Sequence, residues 1–287
     1  MLQYLLNGIA TGALYSVIAL GIVLVYRTSR LLNFAHGDLA MVAVFLVWSF
    51  SRPLGFPGAV AVALLAATAL GAAFSFGVLQ QVKEATLLGQ VVLTLGFSQV
   101  LSGAALVVWG ADSKPFPFPL SSVVTYRLGG AVISQLTLGS LVIALVLMAG
   151  LYLLIQQTRV GLAMRAYSQD PEAARLLGLP TRRLLAFTWG VAALLGTAAG
   201  MLLAPVTFLH PYFMLTPFLK GFTAAVLGGL DSVPGAIVGG LLLGVMESLF
   251  AGYVSLRFVS TLSFALIVVM LLVRPEGLLG RVFQRRV

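Results

Sequence analysis

The strongest constraint on this chain is its succession of long apolar runs. Between residues 3 and 273, stretches rich in Leu, Ala, Val and Gly follow one another with short polar breaks, most of them near the ~20 residues a helix needs to cross a bilayer's hydrocarbon. A water-soluble domain carries about a quarter charged residues. Here charged residues are 9% and hydrophobic residues 60%, with a mean hydropathy of +1.06, so the chain cannot cover itself with a polar surface. In lipid, every backbone N–H and C=O must be satisfied inside the protein, which leaves helices and closed barrels. A barrel would show ~10-residue segments of alternating polarity, whereas these runs are continuous. An all-α integral membrane protein, a polytopic helical bundle, is expected. The opening MLQYLLNG has no basic region and no cleavage site, and reads as the start of the first span rather than a signal peptide.

The runs place spans near residues 3–26, 33–50, 58–80, 87–109, 136–156, 184–204, 217–229, 234–250 and 258–273. The seventh and eighth are short, either half-helices or a re-entrant pair around GGLDSVPG, so about 8–9 membrane segments are expected. Basic residues collect on cytoplasmic loops. With the C-terminus cytoplasmic and the N-terminus outside, the inner side holds Arg27, Arg30, Lys83, Arg159, Arg165, Arg175, Arg182, Arg183, Arg274, Arg281, Arg285 and Arg286. Arg52, Lys114, Arg127, Lys220 and Arg257 remain outside. The net charge of +9 is thereby explained without nucleic acid, for which no basic run interleaved with aromatics is present. Residues 1–287 read as one transmembrane domain with two long loops. Residues 110–136 face outside and carry KPFPFP, whose prolines favour an extended path. Residues 157–183 face the cytoplasm and are the most polar part of the chain.

Small residues four apart, at Gly8 and Gly12, Gly196 and Gly200, Gly235 and Gly239, and Gly240 and Gly244, let helix backbones approach closely in lipid. GLGGLDSVPG follows no strand and is read as packing or a helix break, not as a nucleotide loop. Two histidines without H-E-x-x-H, no cysteine and no G-x-S-x-G leave no zinc or serine-hydrolase constellation, so no catalytic residue and no metal site is expected.

In the cytoplasmic loop, a short helix spans roughly residues 161–167 and includes Arg165. Asp170 before Pro171, with Glu172 next, is a helix start: cap, proline at the first position, negative charge at the positive dipole end. Gly178 ends that second helix, with Pro180 beyond it. EAARLLG, residues 172–178, resembles the Glu-Ala-Ala-xxx-Gly loop of ATP-binding-cassette (ABC) importer permeases. NGIATGALYSVIALGIVLVY, LLNFAHGDLAMVAVF, GLAMRAYSQDPEAARLLG, FTAAVLGGLDSVPGAIVGGLLLGVMES and RPEGLLG, in order along nearly the whole chain, are similar to the permeases of the branched-chain amino-acid uptake family. The family more often has Glu where this chain has Asp38.

The resemblance implies a permease subunit of an ABC importer in the bacterial cytoplasmic (inner) membrane. Its partners would be a second homologous permease (heterodimer or homodimer), two ATPase subunits and an extracytoplasmic substrate-binding protein. It also implies that Arg165, Glu172, Ala173, Ala174 and Gly178 belong to the helix that couples to the ATPase. The chain has no G-x-x-x-x-G-K-[ST] loop, so no cofactor of its own is expected, with ATP and Mg on the partners. Relatives import aliphatic amino acids, urea or short amides, or small organic acids, and the separate binding protein sets the choice. An ATP-independent secondary transporter or channel is the alternative that composition alone leaves open.

Polar groups at lipid depth are costly and face an interior or a wet cavity. Asn33 and His36 are three apart on the expected helix, with Asp38 turned away unless Gly37 breaks the turn. They either line an inner gate or stitch helices together, with Asp38 pairing Arg27 or Arg30. Gln90, Thr94, Ser98 and Ser102 form a stripe, with Gln99 nearby, that lines the pathway or makes packing hydrogen bonds. Asn7 and Thr11 make a shorter pair, Glu247 and Lys220 a gate or an ion pair, and His210 a structural or docking residue.

Overall fold

The structure, a computed structural model, describes residues 1–82, 86–128 and 130–280. Lys83, Arg281, Arg285 and Arg286 of the expected inner charge set lie outside the described residues. The helices are α1 (Leu2–Ser29), α2 (His36–Phe74, continued by a π-turn Ser75–Leu79), α3 (Leu87–Trp109), α4 (Gln135–Gln157), α5 (Arg159–Gln169), α6 (Pro171–Leu176), α7 (Thr181–Thr207), α8 (Leu215–Gly228), α9 (Val233–Tyr253) and α10 (Val259–Val273). Among the described residues six helices are long and apolar enough to cross a membrane. At 1.5 Å per residue, α8 and α10, with 14 and 15 residues, reach only about 21–23 Å, short of a ~30 Å hydrocarbon layer. Among the described residues the departure from an all-helical chain is a two-stranded antiparallel hairpin, β1 (Thr125–Leu128) with β2 (Ala131–Ser134), inside the long 110–136 loop. Chain contacts divide the protein into two interleaved units: Met1–Val23, Leu120–Met148 and Leu219–Val287, and Leu24–Pro119 with Ala149–Phe218.

In the first unit, glycines make the helix contact. A Cβ added to Gly244 on α9 would lie 2.4 Å from Gly12 Cα on α1, and one added to Gly240 would lie 2.6 Å from Ser16 N. No side chain fits there, so two backbones touch and gain the dispersion energy that replaces hydrophobic drive in lipid. Gln3 at the start of α1 behaves like a strand residue: its amide donates to Val132 O and accepts from Val132 N, each at 2.7 Å. The C-terminal RPEGLLG docks on the α8–α9 turn, where Leu278 N and Leu279 N donate to Leu227 O and Gly228 O at 2.8 and 3.0 Å. Those carbonyls end α8 and would otherwise lack partners.

In the second unit, α2 has 39 residues, about 58 Å if straight, nearly twice a hydrocarbon layer. It is not straight. Gly55, at φ 69 and ψ 165 between Pro53 and Pro57, folds it back. Leu39 and Ala43 pack with Ala67, and Leu31 packs with Leu79, as two antiparallel arms about Gly55 require. The expected 33–50 and 58–80 spans are therefore the arms of one helical hairpin. Helix α7 lies along both arms, with Gly190 against Thr68 and Gly200 against Val44. Phe74 stacks on Phe97 of α3 at 3.9 Å between centroids and packs on Trp189. The KPFPFP segment is non-helical: Lys114 and Leu209 exchange backbone hydrogen bonds of 2.8 and 2.9 Å, Phe118 N turns back to Phe116 O at 2.9 Å, and the Lys114 ammonium sits over the Trp48 ring.

Candidate functional site

The stretch around His36 folds differently from a continuous helix. Helix α2 begins at His36, so Asn33 lies before it and the two do not share a helical face. Asn33 Oδ1 accepts from Ala35 N at 3.0 Å, a local turn that delivers the chain into the helix. Gly37 is not a break: it is buried in the first turn, where a Cβ would lie 3.1 Å from Phe218 Cβ. With the helix intact through Gly37, Asp38 turns to α3 and accepts from the Ser98 hydroxyl at Oδ2 and from Ser102 at Oδ1, the latter at 2.7 Å. His36 is fully buried beside Phe218, and among the described residues neither ring nitrogen has a hydrogen-bond partner.

The α3 stripe is the other half of this cluster. Thr94 donates to Val91 O at 2.8 Å and accepts from Phe34 N at 3.4 Å. Ser98 and Ser102 follow at the Asp38 carboxylate, and Gln90 lines a cavity at the start of the helix. Gln99 does not join them; it is exposed on another face of α3. The arrangement is therefore a polar seam between the first arm of α2 and α3, with one carboxylate held by hydroxyl donors.

In the first unit, Lys220 Nζ lies 2.8 Å from Glu247 Oε2, making the ion pair that the spacing alone left open. Tyr15 OH donates to the same oxygen at 3.1 Å and accepts from Lys220 at 3.2 Å. Ser263 donates to Glu247 Oε1. Glu247 is only 6% exposed, and four helices meet at its carboxylate. Tyr15 and Ser263 carried no distinguishing signal in the sequence, since Ser16 adjoins the first and Ser260 and Thr261 precede the second, and nothing local separates them from such neighbours. Asn7 and Thr11 stay on the exposed face of α1, where Asn7 takes the Gln3 amide at 3.2 Å and Thr11 donates to Asn7 O at 2.9 Å. His210 Nδ1 lies 2.7 Å from Pro211 O within its own loop. Among the described residues no three His, Asp or Glu side chains come together as a metal site.

The polar loop forms two short helices. Asp170 Oδ1 accepts from Glu172 N and Ala173 N at 3.0 and 2.9 Å, capping α6, with Pro171 at its first position. Gly178 adopts φ 79 after the last turn, a conformation that glycine takes without strain. Ala174 is buried, while Glu172 is exposed and Leu176 and Leu177 are 89% and 83% exposed. Arg165 on α5 reaches back to α4, donating to Gln156 Oε1 at 2.6 Å. The result is a capped stub that presents two leucines and a carboxylate outward from a buried alanine.

A family model described as "Branched-chain amino acid transport system / permease component" matches residues 4–271. The high-affinity branched-chain amino acid transport system permease protein LivH of Escherichia coli (strain K12) is 32% identical, with 98% of this chain and 96% of that protein covered. The permease protein BraD of the corresponding system in Pseudomonas aeruginosa is 31% identical over the same shares. Among solved structures, PsaBC from Streptococcus pneumoniae in complex with Fab aligns with a TM-score of 0.51 at 15% identity, covering 96% of this chain and 92% of that one, a likeness of fold. With its membrane-length helices, its glycine-packed core and a family match over nearly its whole length, the chain belongs to the permease components of branched-chain amino acid ABC transport systems.

Proposed function

We propose that this chain is the membrane-spanning permease of an ABC importer in the cytoplasmic (inner) membrane, moving branched-chain amino acids or closely related small solutes inward. ATP is hydrolysed on two partner ATPase subunits, a second permease completes the membrane pair, and an extracytoplasmic binding protein delivers the solute. The N-terminus lies outside and the C-terminus inside. The two arms of α2 are separate crossings, and α8 and α10, shorter than the hydrocarbon layer is thick, complete the nine where the bilayer thins to meet them.

One observation carries this reading: the α5–α6 stub, whose capped helix exposes Leu176, Leu177 and Glu172 before a glycine at φ 79. A solvent-facing pair of leucines in a polar loop is costly unless a partner covers it, and an ATPase groove is that partner. Closure of the ATPases then displaces α5 and α6, and the helices joined to them, α4 and α7, tilt and alternate the access of the pathway. Arg165 ties α5 to the end of α4 so that the displacement is transmitted. The Asp38, Ser98 and Ser102 seam serves as the inner gate, where hydroxyl–carboxylate bonds between two helices break and reform without leaving a charge bare.

Reconstitution tests it. The chain, assembled in liposomes with its co-purifying permease and ATPases and supplied with the binding protein, takes up leucine, isoleucine or valine only with ATP inside. Uptake by the chain without ATPase subunits overturns the assignment. Asp38→Asn reduces uptake while the complex still assembles; full uptake removes Asp38 from the gate.

A further inference from the structure

At the end of the second unit where α6 and α7 meet the close of the α2 hairpin, a cavity of about 540 Å³ is lined by Gln80, Gln90, Arg175, Thr181, Arg182 and Trp189, among others. Its charged lining residues are the two arginines, and none is acidic. Among the described residues neither guanidinium has a hydrogen-bond or ion-pair partner, and both side chains are exposed. Gln80 donates through Nε2 to Ser75 Oγ and Arg182 O at 3.2 and 3.1 Å, which fixes its amide. Its Oε1 is then buried with no donor. The cavity thus offers two cations, with the orphaned Gln80 acceptor beneath its wall.

A second depression, about 620 Å³, starts beside it and is apolar throughout, with Leu70, Phe74, Val78, Leu93, Gly96 and Phe97 in its walls. Residues 70, 74 and 78 form one stripe along the second arm of α2 and its π-turn, next to the stripe of Ser75 and Leu79 that faces the cavity. On α3, Gln90 of the cavity and Leu93 and Phe97 of the groove fall on one face. Phe74, Leu79 and Trp189 belong to one packed cluster with Leu93 and Phe97 against it, so one aromatic wall serves both depressions. A basic, hydrogen-bonding end thus leads into an apolar groove along membrane-length helices. Helix ends of that kind lie at headgroup depth, where basic pockets between helices take lipid phosphates.

We propose that the second unit holds one anionic phospholipid, with its phosphate on Arg175 and Arg182 and an acyl chain in the groove between the second arm of α2 and α3. A free anion would satisfy the arginines but leave the groove unexplained, and a neutral lipid would fill the groove but leave both guanidiniums uncompensated. Because Arg175 is on α6 and Arg182 on α7, the lipid bridges the two and holds α6 in place.

The test uses the full chain, delipidated in detergent, with dioleoylphosphatidylglycerol, dioleoylphosphatidylcholine and inorganic phosphate as probes. Native mass spectrometry counts bound lipid, and the unfolding temperature reports occupancy. One phosphatidylglycerol per chain binds about tenfold or more tightly than phosphatidylcholine, and Arg175→Gln with Arg182→Gln removes that preference. Gly96→Trp weakens binding with both arginines intact; a Cβ at Gly96 meets nothing within 4 Å, so this variant fills the groove without disturbing the helix. Equal binding of the two lipids, or full retention by the double arginine variant, overturns the proposal. Displacement by millimolar phosphate together with an inert Gly96→Trp also overturns it, in favour of a free-anion site.

Discussion

Each unit holds a carboxylate among its helices, Glu247 buried and Asp38 half-buried, and the two are stabilised in different ways. Glu247 has the Lys220 ammonium at 2.8 Å and Tyr15 on the same oxygen, with Ser263 on the other. Asp38 has the hydroxyls of Ser98 and Ser102, one on each oxygen. An ion pair with hydrogen bonds on both carboxylate oxygens is a fixed joint, because removing either partner strands a buried charge. A carboxylate held by two hydroxyls is a weaker clasp, since each serine is neutral and a water or solute donor can take its place on the carboxylate. Under the function proposed above, the contrast fits fastening in the first unit and movement in the second.

The sharpest way to break that contrast is to remove the cation. Lys220→Met costs about 3–5 kcal/mol of unfolding free energy in mixed micelles, and adding Glu247→Leu recovers most of it. A loss under about 1 kcal/mol for the single variant would show that the joint is no joint. Ser98→Ala and Ser102→Ala each cost less, about 1.5–3 kcal/mol by the same measurement, but they lower uptake more than the lysine change does at equal stability. If the ranking of transport defects is reversed, the division of roles fails. Gly244→Val separates α1 from α9 and costs about 1–3 kcal/mol, read from the same unfolding curves. Gly178→Ala imposes a side chain at φ 79, a strain of about 1–2 kcal/mol local to the α6 terminus, and uncouples ATP hydrolysis from uptake. Glu172→Ala leaves the unfolding midpoint unchanged and lowers only ATP-driven uptake.

Much of the helical layout was legible in the chain, because in lipid an apolar run of sufficient length has few alternatives to a helix. The α3 run ends where expected, and α4 and α10 within a residue of it. The cap at Asp170 was equally legible, since a short acceptor side chain, a proline and a glycine each act within one turn of their own position. The polar seam was legible only in part. The four-residue stripe named Ser98 and Ser102, but their acceptor lay 60 and 64 residues away, and the expected Asn33–His36 face dissolved because the helix starts at His36. Gln99 was close in sequence yet belongs to another face. The β1–β2 hairpin was not anticipated, although Gly129-Gly130 between two short β-prone runs is a local turn signal; what no local pattern encodes is that Gln3, over a hundred residues away, joins it.

What the sequence determined by itself was whatever the solvent and a single helical turn enforce: membrane residence, helical spans, caps and the family motif. Tertiary structure alone decided which polar groups meet. The fold-back at Gly55 brings Leu31 to Leu79, the contact of Gly12 with Gly244 seats α1 on α9, and the meeting of Tyr15, Lys220, Glu247 and Ser263 closes a charge network across the first unit. Hydrophobic length is additive along a chain and can be read locally. The pairing of a buried charge depends on distances across helices, which no local pattern encodes.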